Sequence, residues 1–87
     1  MKRKQTFQIV EIAGDYMVIP NPGEPASGQT LALNGVAAFL LNAMQTEISR
    51  EALLELLLRE YRVSRETAQR DLDAVLDTFE KLGLIEN

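Results

Sequence analysis

The stretch Gly28 to Met44, GQTLALNGVAAFLLNAM, passes within three residues from a strand pattern to a dense apolar helix. Leu31-Ala32-Leu33 has the length and apolarity of a short strand. From Val36 onward apolar residues fall on nearly every side of a 3.6-residue helix, so that helix is expected to be buried. Asn34, between the two, is a favoured N-cap residue. Its side-chain oxygen can take a first-turn N–H, worth about 1 kcal/mol over alanine, and so set strand and helix at a fixed corner.

Upstream, Phe7 to Ile12 and Tyr16 to Ile19 are rich in strand formers and flank Gly14-Asp15, which reads as a hairpin with a type II′ turn. Pro20, Pro22 and Pro25, with Gly23 and Gly28 among them, mark a loop from Pro20 to Gly28 that returns the chain for a third strand. Downstream, Ser49 caps a second helix to about Tyr61, with Leu53, Leu56, Leu57 and Tyr61 on one face and Leu54 and Leu58 widening it. The extra leucines either cover the hairpin or form a protein contact. Ser64 caps a third helix in which Ala68, Leu72, Val75, Phe79 and Leu82 recur at steps of three and four, and Gly83 ends it. The expected fold class is α+β: a three-stranded antiparallel sheet followed by three helices, the last two in helix-turn-helix relation. Residues 1–6 are expected to be a flexible basic N-terminus and residues 7–87 a single domain.

Composition narrows the chemistry. A chain of 87 residues with 46% hydrophobic and 25% charged residues supports one core that buries roughly 60–65% of the unfolded surface. Cysteine and histidine are absent, which removes disulfides, thiolate zinc sites and the usual neutral-pH acid–base group. Asp71, Asp73, Asp77 and Glu80 alternate with Arg70 and Lys81 as a water-facing surface, and Glu47, Glu51, Glu55 and Glu60 do the same on the second helix. No metal-ligand spacing or phosphate-binding glycine loop is present, so no catalytic residue, metal or cofactor is expected. With no signal-like or membrane-spanning run, the expected location is the cytoplasm, with no membrane partner.

Net charge is −4, and Lys2, Arg3 and Lys4 hold three of the nine basic side chains, so the body is more acidic still. Such a surface repels phosphate backbones. Arg65, Thr67, Gln69 and Arg70 would head a DNA-recognition helix, but Glu66, Asp71 and Asp73 share the same turns, so a DNA-binding regulator is the alternative reading and nucleic acid is not an expected partner. What remains is the free edge of the third strand. Gln29, Thr30, Leu31, Ala32 and Leu33 carry no Lys, Pro or other device that blunts an edge, which points to capture of an extended peptide by strand addition; the alternative is an edge covered by the loop or by a second copy of the chain.

The order of hairpin, Pro/Gly loop, Leu-Ala-Leu-Asn-Gly with Ala-Ala-Phe-Leu, Glu-Ala-Leu-Leu, Tyr-Arg-Val-Ser and closing Leu-Gly-Leu-Ile resembles the PqqD-like family from about Phe7 to Ile85. These are small winged helix-turn-helix recognition elements for ribosomally made, post-translationally modified peptides. Members commonly carry Trp or a second aromatic in the first helix, where this chain has Phe39-Leu40-Leu41. The resemblance implies a non-catalytic chaperone that binds the leader of a precursor peptide and presents it to a modifying enzyme, often a radical S-adenosylmethionine enzyme. It implies that the leader adds antiparallel to the third strand, Gln29 to Leu33, with apolar side chains in a groove between that strand and the third helix. One flank of that helix offers Arg65, Gln69, Leu72, Asp73 and Leu76; the opposite flank, Thr67, Asp71, Ala74 and Thr78, is the alternative. The expected state is a monomer or weak homodimer, with Leu54 and Leu58 or the strand edge as the pairing surface.

Overall fold

The computed structural model describes residues 1–23 and 31–86. Its elements run β1 (Lys2–Arg3), β2 (Phe7–Ile12), β3 (Asp15–Pro20), β4 (Leu31–Leu33), α1 (Gly35–Ala43), α2 (Arg50–Glu60), α3 (Arg65–Lys81) and β5 (Ile85–Glu86). The sheet order is β2-β3-β4, antiparallel throughout, with Ile9 opposite Val18 and Val18 opposite Leu31. The expected third strand is therefore β4; Gln29 and Thr30, named with it, lie outside the described residues.

All three caps read from the sequence form. Asn34, Ser49 and Ser64 have extended backbones, and each side chain accepts the N–H three residues on, from Ala37, Ala52 and Thr67. Gly83, at φ 71°, closes α3: its N–H donates to the Glu80 carbonyl at 3.1 Å and the Leu84 N–H to the Phe79 carbonyl at 2.9 Å. This pair of bonds is a Schellman ending, which turns Leu84 back onto Phe79 in the core.

The core lies between one sheet face and the helices. Phe7, Val18, Leu40, Leu41, Met44, Leu53, Leu54, Leu57, Leu72 and Phe79 are buried in it. Leu54 is fully buried and Leu58 packs on the core, so both serve the interior. Leu54 is thereby corrected as a candidate pairing surface.

Two features differ from expectation. The hairpin turn is Ala13-Gly14 rather than Gly14-Asp15, and both residues have positive φ, 53° and 88°, as a type I′ turn requires. Asp15 is thereby the first residue of β3. Residues 1–6, expected as a flexible basic segment, instead contain β1, whose Lys2 and Arg3 pair with Glu86 and Ile85. The Arg3 N–H donates to the Met44 carbonyl at 2.8 Å, and the Lys4 N–H to the Leu84 carbonyl at 2.9 Å. The Arg3 side chain is buried, donates to the Lys4 and Phe7 carbonyls and lies 4.3 Å from the Phe7 ring centroid. Burial lowers its pKa from the ordinary guanidinium value, and carbonyl oxygens and the ring face, rather than a carboxylate, hold the charge.

Ala13 bears a left-handed backbone that costs a Cβ-bearing residue roughly 1–2 kcal/mol, and its side chain is exposed. Ala13→Asn, which tolerates that conformation, should raise stability by about 0.5–1 kcal/mol and Ala13→Val should lower it, read as opposite shifts of Tm in thermal unfolding.

Candidate functional site

The hairpin sets which groups of β4 are left open. A two-residue turn bonds Ile12 to Asp15, and bonded pairs then alternate along the ladder. The Asn21 N–H donates to the Thr6 carbonyl at 3.0 Å, in the same phase. Asp15, Met17 and Ile19 thus bond to β2, which leaves Tyr16 and Val18 to bond to Leu33 and Leu31 of β4. The Ala32 N–H and C=O consequently point away from β3, to an edge with which no other strand of the described residues pairs, and Ala32 is exposed.

Beside this edge lies an open cleft of about 240 Å³. Ala32, Leu33, Asn34 and Ala37 form one wall, and Ala74, Val75, Thr78 and Phe79 of α3 form the other. The Asn34 bond to the Ala37 N–H, 2.7 Å, holds the first wall by joining β4 to α1. In the second wall Thr78 Oγ1 donates to the Ala74 carbonyl at 3.0 Å, so its hydrogen is engaged while its lone pairs stay available. The small side chains of Ala37 and Ala74 line the cleft from its two sides, and Val75 and Phe79 add apolar lining. A cleft of this kind can take the alternate side chains of an extended chain lying on the edge.

The flank of α3 named first in the sequence reading is elsewhere. Leu72 is fully buried and Leu76 is 8% exposed, both in the core. Arg65 donates to Glu55 at 3.0 Å, and Asp73 accepts from Arg50 Nε at 3.0 Å, so this edge of α3 faces α2. Gln69 is exposed on the same side. The cleft beside β4 is bordered by the opposite flank, with Ala74 and Thr78 from that alternative set. The physical reason is the core arc of α3: Ala68, Leu72 and Phe79 point inward, Leu76 tips toward α2, and Val75 tips toward β4. The complementary charges of Glu55 with Arg65 and of Arg50 with Asp73 were the sequence signal for the α2 side. Small residues at 74 and 78 were the signal for the open side.

Among the described residues no three of His, Cys, Asp and Glu are grouped so that they could hold a metal ion, and no helix is long and apolar enough to cross a membrane. Arg65, placed to read base edges in a DNA-binding protein, is engaged by Glu55.

Taken together, the three-stranded antiparallel sheet and three helices, with α2 and α3 in helix-turn-helix relation, define a winged helix-turn-helix of α+β class in which β4 is, among the described residues, an edge strand. Residues 17–85 match the family model PqqD, coenzyme PQQ synthesis protein D, and the chain belongs to that family. Among solved structures, one described as "TbiB1 in Complex with the TbiA(beta) Leader Peptide" is 21% identical with a TM-score of 0.79, covering 100% of this chain and 96% of that one. A second, "Lasso peptide synthetase B1 complexed with the leader peptide", is 20% identical with a TM-score of 0.76, covering 99% and 96%. At these identities the likeness is one of fold. No curated protein matches the chain in sequence.

The two flanks of α3 should separate in mutagenesis. Leu72→Ala should cost about 2–5 kcal/mol in chemical denaturation, as a truncation in a packed core does. Ala74→Leu, at an exposed position beside the cleft, should change stability by less than about 0.5 kcal/mol.

Proposed function

We propose that this chain binds the leader segment of a ribosomally made precursor peptide by strand addition to β4 and presents the precursor to a peptide-modifying enzyme, without catalysing the modification itself. The observation that carries the reading is the outward-facing Ala32 N–H and C=O beside the cleft of Ala37, Ala74, Val75 and Thr78. Family membership supports it, as do two proteins of the same fold whose structures are described as leader-peptide complexes. A cytoplasmic location, where precursor and enzyme would meet, accords with it.

The energetics assign separate tasks to backbone and side chains. Each main-chain bond contributes on the order of 1 kcal/mol net and is indifferent to sequence. A Leu-sized side chain filling the cleft contributes about 1.5–3 kcal/mol. Association costs about 4 kcal/mol or more before any of this appears as affinity. Strand pairing alone therefore does not give a stable complex, and the leader must place at least one apolar side chain in the cleft. The leader is taken to run antiparallel to β4, as each described neighbour in the sheet does.

The test is Ala32→Pro, which removes the free-edge donor while leaving Leu31 and Leu33 to bond β3. Measured by isothermal titration against the leader of a precursor peptide encoded beside this gene, the variant should lose at least tenfold in affinity while keeping its circular dichroism spectrum. Unchanged affinity in a folded Ala32→Pro protein would refute strand addition at this edge. A specific duplex-DNA complex at physiological salt would favour the regulator reading instead.

A further inference from the structure

One helical turn before Ala74 and Val75, the same side of α3 borders a second hollow of about 70 Å³. Its walls are Val36, Leu57, Tyr61, Val63 and Ala68, with Asp71 as the one charged residue among them. The Tyr61 ring is held in place by an edge-to-face contact with Phe39, centroids 5.8 Å apart. Asp71 is exposed, and among the described residues no cation pairs with it. Other acids nearby are occupied: Asp73 by Arg50, Asp77 by Lys81 and Glu55 by Arg65. An open carboxylate at the edge of an apolar hollow suits a side chain that is apolar along its length and cationic at its end.

For a leader lying along α3 the two hollows, one helical turn apart, are in step with an extended chain. A turn of α3 advances about 5.4 Å, and a strand rises about 3.3 Å per residue, so neighbouring hollows are spaced for side chains about two residues apart. Residues two apart leave a strand on the same face. Val36, which lines the second hollow, follows Leu33 in the chain, while Ala32 and Leu33 line the first, so a peptide antiparallel to β4 reaches Asp71 with residues on its N-terminal side.

Resting on the strand-addition reading above, we infer that Asp71 is a specificity-determining residue. It selects peptides carrying Lys or Arg about two residues before the apolar residue seated against Ala74 and Val75. The aliphatic stem lies along Val36, Leu57 and Ala68, and the charged head meets the Asp71 carboxylate.

A phage-displayed library of random peptides, about a dozen residues long, selected on the intact protein tests this. The expected consensus has a basic residue about two positions before an apolar one. A synthetic consensus peptide should bind Asp71→Asn about 3- to 10-fold more weakly than the parent. The same peptide with norleucine for its basic residue should lose a similar factor and lose nothing more on Asp71→Asn, since the two changes remove one interaction. A consensus without a basic position, or equal affinity of the basic peptide for parent and Asp71→Asn, would overturn the assignment. Ala32→Pro separates the two levels: selected peptides that lose binding there but show no dependence on Asp71 retain strand addition and reject this inference, while peptides indifferent to Ala32→Pro reject both.

Discussion

The Asn34 side chain accepts the Ala37 N–H at 2.7 Å and so fixes the corner at which β4, whose register comes from the hairpin, passes into α1. It ends β4 and starts α1 with no intervening loop, so the strand edge is delivered against the helical layer at one fixed angle. Ala38 adds a backbone bond to the Asn34 carbonyl at 3.0 Å, completing the first turn. From there α1 enters the core through Leu40 and Leu41. α3 packs on the same core by an arc that leaves its Ala74 and Thr78 side uncovered. The cleft is thus a consequence of two elements being fixed separately on one core, with small side chains where they approach.

The charge distribution follows the same division. On the α2 side of α3, basic and acidic groups are matched across the helix pair, Arg65 with Glu55 and Arg50 with Asp73. These pairs are well exposed and contribute little to stability. Their larger effect is to take up guanidinium groups that a phosphate backbone would otherwise meet. This holds for Arg50 and Arg65, and the net charge of −4 opposes a phosphate backbone at the rest of the surface. An extended peptide held mainly by its backbone makes no such demand.

Much of the fold was legible because its signals are local. Asn34, Ser49 and Ser64 are side chains that satisfy helix N–H groups within three residues, and Gly83 supplies the positive φ that ends α3; each can be read without knowing the tertiary structure. The hairpin was legible as a hairpin but displaced by one residue. Gly14 drew the turn toward Asp15, whereas the ladder places Ala13 in a left-handed conformation for which alanine carries no sequence signal. The β1–β5 ribbon was not legible at all, because two-residue strands have no periodicity and their pairing joins the two ends of the chain. At the site, the edge of β4 was read from the absence of blunting residues. The choice of α3 flank was not settled by the sequence, since it depends on which way α3 rolls between α2 and the sheet. Leu72 lies at the centre of the core arc, where a helical projection already places it; its assignment to the groove mistook an apolar stripe for an exposed one.

Hydrogen exchange at the Ala32 amide is the most direct measure of the central idea, that β4 presents a vacant ladder position to a leader strand. In the free protein this amide should exchange fast beside slower Leu31 and Leu33 amides, which are bonded to β3. On saturation with leader peptide, Ala32 should become at least tenfold slower while exchange on the α2 side of α3 is unchanged. An Ala32 amide already protected in the free protein, or one whose exchange is unaffected by bound leader, would contradict the account.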